Sequence, residues 1–152
     1  MPTAVTLHLL AALVWVGGMF FAHQILRPAA LGLEPPERLP LWTRVFARFF
    51  PWVWGAIIIL PVTGYWMTFM YFGGFANAAI YIHVMHLLGL IMIGIYLYVF
   101  FGPYAKFKQA VANKDFPAGA NHLASIRKLV GTNLTLGIIT IIDAVAGAYW
   151  LS

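Results

Sequence analysis

The sequence contains no cysteine and very few charged residues. Without cysteine the chain can form no disulfide, no thiolate metal site and no cysteine-ligated iron–sulfur cluster, and it cannot attach a c-type haem covalently. Charged residues make up 9% of the 152 residues, whereas a soluble domain carries about 25%. Because 62% of the residues are hydrophobic, the chain lacks the polar surface that a water-soluble domain needs. The composition therefore predicts an integral membrane protein.

Four long apolar stretches indicate how the chain crosses the membrane. Each has close to the ~20 residues that a helix needs to span a bilayer. We expect an all-α fold, a four-helix bundle in up-down-up-down order that forms one transmembrane domain over 1–152. The four stretches cover about 3–26, 50–72, 79–101 and 129–151.

Turn and cap residues predict how these helices begin and end. Gly73 and Gly74 in the short 73–78 connection indicate a tight turn. Asp115 followed by Pro117 is typical of a helix start, so the fourth helix should begin well before the bilayer. Pro40 is the predicted start of an inner extension of the second helix.

The cationic residues all lie between the first and second or between the third and fourth stretches. This one-sided distribution predicts that both termini are outside and the basic connections cytoplasmic, in a bacterial inner membrane. It explains the net charge of +5 by topology and gives no reason to expect a nucleic-acid partner. The nine cations are Arg27, Arg38, Arg44, Arg48, Lys106, Lys108, Lys114, Arg127 and Lys128.

Three histidines and one carboxylate fall at a similar depth near the predicted outer face. His8, His83, His86 and Asp143 lie about four to eight residues from the outer ends of their helices, within roughly 6 Å of one level. Ionisable side chains are costly in hydrocarbon, so each marks a candidate functional site. Met67 and Tyr65 on the second helix reach the same layer. Imidazole is a common ligand for haem iron, copper and zinc.

A second candidate layer lies at the inner end. His23 is fifteen residues after His8, roughly 22 Å deeper on nearly the same face of the helix. His122 could pair with His23 only if the fourth helix runs long or its segment folds back. As a single membrane histidine, His23 could also be only an interhelical hydrogen-bond partner.

Two short segments resemble a known membrane family. The stretch from His8 to Trp15, Gly17 and Gly18 resembles the first helix of the copper-resistance D (CopD-like) family. The stretch Tyr81-Ile-His83-Val-Met85-His86 resembles the third-helix motif of the related HemJ-type protoporphyrinogen oxidases, four-helix haem-b proteins. The HemJ pattern has lysine where this chain has Met85, which argues against protoporphyrinogen oxidation but not against haem binding.

The resemblance and the two histidine layers favour non-covalent haem b, with one or two haems per chain. His8 and His86 are the expected ligands of an outer haem, with His83 as the competing choice. Asp143 would hold a ligating imidazole or carry protons. A second haem would use His23, with Arg27 and Arg48 near its propionates.

The expected activity is that of a b-type cytochrome that passes electrons to or from an unidentified redox partner. Catalysis at an exposed outer haem is left open. The alternative is a copper-binding or copper-transporting protein that uses His8, His83, His86 and a methionine such as Met67 as one mixed site. Besides the lipid bilayer, a second copy of the chain in a homodimer is an open option.

Overall fold

Four long helices contain nearly all of the residues that the computed structural model describes, which are residues 1–150. They are α1 (Pro2–Ala30), α2 (Pro35–Phe72), α3 (Ile80–Ala112) and α4 (Phe116–Trp150). Each is long and apolar enough to cross a membrane, and no strand occurs in this part of the chain. The prediction of an all-α, four-helix membrane fold is confirmed.

The bundle has two ends of different chemistry. The terminal end holds the start of α1, the 73–78 turn and the end of α4, and carries no lysine or arginine. The basic end holds the 31–34 and 113–115 connections. Eight of the nine cations lie in the halves of the helices next to it, and the ninth, Lys114, lies in the 113–115 connection. The predicted spans fall within the helices, apart from residue 79, which caps α3, and residue 151, which lies outside the described residues.

At the basic end the helices continue well beyond the apolar stretches. The side chain of Asp115 accepts a hydrogen bond from the Ala118 amide at 3.3 Å and caps α4, as predicted. The start of α2 lies earlier than the predicted Pro40. The Glu34 carbonyl accepts the Glu37 and Arg38 amides at 2.9 and 2.8 Å, so the helix begins at Pro35. Proline is tolerated in the first turn of a helix, because the backbone amides there have no hydrogen-bond partner within the helix.

The turn at the terminal end is as tight as its glycines predict. Gly73 ends α2 in the left-handed conformation, with φ of 72°, and Gly74 follows with φ of 120°. Residues without a Cβ adopt such angles at low cost. A short 3₁₀ segment, Phe75–Asn77, then places the Phe75 ring beside both α2 and α3.

The helices pack mainly as two antiparallel pairs, α1 on α2 and α3 on α4. At Gly18 the α1 backbone lies directly against the Phe49 ring of α2, with no room for a Cβ. Between α2 and α3, large aromatic side chains fill the basic half of the bundle. Phe46 stacks on Phe50 at 5.0 Å, and Phe50 meets Tyr96 edge-on at 5.5 Å.

Three irregular points interrupt the helices. α3 breaks at Gly102, next to Pro103, since proline cannot donate to the preceding turn. α1 contains a π-helical segment, Phe21–Leu26, and α4 contains another, Asp143–Gly147. Such bulges occur frequently at functional sites. Each contains one residue selected from the sequence, His23 in α1 and Asp143 in α4.

Candidate functional site

His8 is held against α2 by a directed pair of hydrogen bonds. Its Nδ1 lies 2.8 Å from Thr63 Oγ1, and that hydroxyl donates to the Ile59 carbonyl at 2.6 Å. The Thr63 hydroxyl also lies 3.3 Å from the Leu60 carbonyl. Because its single hydrogen is directed to backbone carbonyls, we assign His8 the tautomer in which Nδ1–H donates to Thr63. In a neutral imidazole the other nitrogen, Nε2, then carries the free lone pair. This arrangement is typical of a histidine whose Nε2 binds a metal.

The residue next to Thr63 makes room for the His8 ring. A Cβ added at Gly64 would lie 3.3 Å from His8 Cε1, which is tighter than an ordinary van der Waals contact. The His8 ring therefore lies over a bare strip of α2 backbone. Thr63 and Gly64 together fix both the orientation of the ring and its distance from the helix.

His86 belongs to α3 and contacts α2 through a different residue, Tyr65. Its Nε2 is 2.8 Å from the Tyr65 hydroxyl, and its ring lies edge-on to that phenol at 5.4 Å. Phe75 packs against the same imidazole at 4.8 Å. His83, one turn earlier on α3, is exposed and 5.9 Å from Phe75. These residues form an aromatic cluster between α2 and α3.

The predicted outer layer is therefore divided by α2. Thr63, which binds His8, and Tyr65, which binds His86, are two residues apart, or about 200° around the helix axis. The described residues contain no group of three or more His, Cys, Asp or Glu side chains that could hold a metal. The mixed site of His8, His83 and His86 expected for copper is not formed, because equal depth does not imply a shared face.

Asp143 lies in the π segment of α4, which packs against α3. Its Oδ2 is buried and has no hydrogen-bond partner among residues 1–150. A Cβ added at Gly147 would lie 3.0 Å from Oδ1 and 2.7 Å from the Cβ of Tyr81. The two helices thus approach closely beside the carboxylate. The predicted support of a ligating imidazole by Asp143 stays a prediction.

At the basic end, His23 faces a cavity between α1, α2 and α4. The cavity has a volume of about 130 Å³. Its polar lining consists of His23 and three half-buried arginines, Arg27, Arg38 and Arg127. His23 Nδ1 is buried without a partner in the described chain. A Cβ at Gly131 of α4 would lie 2.9 Å from its Nε2, so that nitrogen is in contact with the α4 backbone.

Two residues selected from the sequence are not part of this lining. Arg48 is exposed on α2, and His122 lies on α4 between lining residues without being one. Arg38 and Arg127 were not selected, because only the packing of three helices brings them to the same cavity as Arg27. Thr63 was also missed, because a threonine within an apolar helix gives no signal until its partner is known.

The arrangement gives haem little support at either level. An outer haem with two histidine ligands needs His8 and His86 to face each other, but each is hydrogen-bonded to a different residue of α2, Thr63 and Tyr65, about 200° apart around that helix. At the inner level, His23 Nε2 lies against the α4 backbone at Gly131. His8 Nε2, by contrast, makes no hydrogen bond among the described residues, while Nδ1 is held by Thr63.

Comparison with known proteins adds a family to this geometry. The family described as copper resistance protein D, CopD, matches residues 43–147, which is well over half of the chain. The chain belongs to the CopD family. No curated protein and no solved structure matches it. The CopD match extends from α2 to the π segment of α4, and a multi-pass membrane protein linked to copper resistance is therefore the established class.

Proposed function

We propose that this CopD-family protein binds copper at the terminal end of the bundle through Nε2 of His8. The observation that carries the proposal is the hydrogen-bond relay from His8 Nδ1 through Thr63 to the Ile59 carbonyl. It leaves one defined nitrogen free to bind a metal, in a chain whose family is linked to copper resistance.

A thioether on the same face of α2 is the natural second donor. Met67 follows Thr63 by four residues, so both side chains lie on one side of the helix. Thioether and imidazole donors together select Cu(I) over hard cations such as Mg²⁺ and Ca²⁺. Copper would enter this site as the cargo of the protein, and the chain would supply His8, its support by Thr63, and Met67.

Direct copper binding tests the proposal. Purified protein in detergent is titrated with Cu(I) against a chromogenic chelator, alongside His8→Ala. Loss of a ligand should weaken copper binding by about a hundredfold or more. Each tenfold change in affinity corresponds to about 1.4 kcal/mol of binding free energy. His122→Ala, at the opposite end of the bundle, is the matched control and should bind as the native chain does.

A haem-b cytochrome is the competing proposal, and the same preparations decide between the two. It is motivated by the sequence resemblance and by Arg27, which lines the same cavity as His23. A Soret band with about one haem per chain, lost in His8→Ala, would favour haem. Stoichiometric Cu(I) that depends on His8, together with a negative pyridine haemochrome assay, would support copper.

A further inference from the structure

The cavity at the basic end combines positive charge with an apolar wall. Its volume of about 130 Å³ is roughly ten times the 10–15 Å³ that one water requires. Three guanidinium-bearing side chains and His23 supply its polar lining. The rest is formed mainly by aliphatic and aromatic side chains, including Leu39, Trp42, Phe46, Leu123, Ile126 and Val130.

The positive charge in this cavity is not neutralised by the described chain. No acidic residue lines the cavity. Among residues 1–150, the hydrogen bond found for these three guanidiniums is the one from Arg38 Nη1 to the Leu33 carbonyl at 3.3 Å. Three half-buried like charges around one cavity repel each other, and an anion between them would remove that cost.

His23 adds an unsatisfied polar atom beside the arginines. Its Nδ1 is buried without a hydrogen-bond partner in the described chain, and a buried polar group left unsatisfied is costly. It lies in the π-helical segment Phe21–Leu26, a distortion that occurs frequently at functional sites. The α1 backbone is therefore irregular at the point where His23 and Arg27 reach the cavity.

We propose that this cavity binds the phosphate group of an anion through Arg27, Arg38 and Arg127. Planar guanidiniums match phosphate oxygens in a two-pronged geometry. The phosphate can come from an anionic phospholipid, whose acyl chain would follow the wall at Trp42 and Phe46, or from solution as free phosphate. Basic cavities between membrane helices are known to take such head groups. This site is separate from the proposed copper site at His8.

Two probes distinguish the sources. Protein purified in detergent is titrated with short-chain phosphatidylglycerol, with phosphatidylcholine as the zwitterionic control, and bound lipid is counted by native mass spectrometry. Inorganic phosphate is titrated separately by calorimetry. One tightly bound phosphatidylglycerol that phosphate does not displace identifies the lipid. Phosphate binding without a lipid preference identifies the free anion, and either result supports the proposal.

Variants then locate the site. Arg27→Gln and Arg127→Gln should each weaken binding of whichever probe binds, phosphatidylglycerol or inorganic phosphate, by about tenfold. Arg44→Gln is the matched control, because Arg44 is an exposed arginine of α2 that does not line the cavity. Arg27→Lys keeps the charge but loses the two-pronged geometry, and it supplies a folded comparison if a glutamine variant is unstable.

Two outcomes overturn the proposal. Equal weakening in Arg27→Gln and Arg44→Gln would mean that anions are attracted only by the general charge of the basic end. Stoichiometric haem lost in Arg27→Gln would mean that the arginines hold carboxylates and not phosphate. Copper binding by the same variants is measured in parallel, so failure here is distinguishable from failure of the copper proposal.

Discussion

At the scale of single residues, one hydroxyl determines what His8 can do. Thr63 uses its hydrogen on the Ile59 carbonyl and its lone pair on His8 Nδ1. In the assigned tautomer, this contact holds the imidazole in one orientation. A nearby threonine, Thr68, is equally buried and bonds only the Gly64 carbonyl at 2.9 Å. The two threonines therefore differ in their hydrogen-bond partners although they share a helix.

Replacing Thr63 by valine should weaken copper binding. Thr63→Val keeps the shape but removes the acceptor that holds His8 Nδ1–H, and loss of such a supporting partner typically costs 10–100-fold in metal affinity. Cu(I) titration against a chelator measures the effect. Thr68→Val is the control and should leave affinity unchanged; equal losses in both variants would mean that Thr63 acts only through packing.

At the scale of elements, the caps decide where the helices start beyond the membrane. Asp115 caps α4 with its side chain, whereas Glu34 caps α2 through its backbone carbonyl alone. Both helices place proline in the first turn. These starts carry α2 and α4 past the apolar stretches and bring Arg38 and Arg127 to the same cavity.

Removing the Asp115 cap should destabilise the protein measurably. Asp115→Ala leaves the Ala118 amide without its acceptor, at a cost of about 1 kcal/mol. Thermal unfolding in detergent, followed by circular dichroism, should show a lower midpoint. Glu34→Ala should unfold within experimental error of the native chain, and a shift as large as that of Asp115→Ala would contradict the difference between the two caps.

At the scale of the whole molecule, close backbone approach holds the helix pairs together. Gly18 lies against Phe49, Gly137 lies against Val16 and Met92, and Gly147 lies against Tyr81. Gly17, the neighbour of Gly18, makes no such close contact with another helix. A Cβ at Gly17 would meet only Leu13 of its own helix, at 3.8 Å. Lipid is as apolar as the side chains, so tight packing of small residues is the main means of association.

Adding one methyl group at the contact between Gly18 and Phe49 should weaken the packing of α1 on α2. Gly18→Ala would overlap the Phe49 ring, and such overpacking costs about 1–3 kcal/mol. The thermal midpoint in detergent should fall. Gly17→Ala offers a control one residue away and should be neutral or slightly stabilising because alanine favours a helix. Equal midpoints for the two variants would contradict the packing described for α1 and α2.

The orientation of the bundle is also a prediction for the whole molecule. All nine cations lie in its basic half, and basic segments stay on the cytoplasmic side. A reporter enzyme that works only outside the cytoplasm should therefore be active when it is fused after the last residue. The same reporter fused within the 113–115 connection should be inactive. The reverse pattern would turn the proposed copper site towards the cytoplasm.

The sequence by itself determined the number of helices, their class and the depth of each polar residue. Apolar length dictates membrane crossing, and Asp115, Gly73 and Gly74 act through local chemistry that does not depend on the rest of the fold. Depth follows from a fixed rise per residue. For this reason Tyr65 and His86, placed at one level from the sequence, do form a hydrogen bond.

The tertiary structure alone decided which side chains at one depth meet. His8 and His86 share a level, yet they lie against different sides of α2, because rotation of each helix about its axis is set by packing and not by length. The same applies to Arg38 and Arg127, which meet Arg27 only after three helices have packed. A helix period gives a residue's direction relative to its own helix, and only contacts such as Gly18 on Phe49 relate one helix to the next.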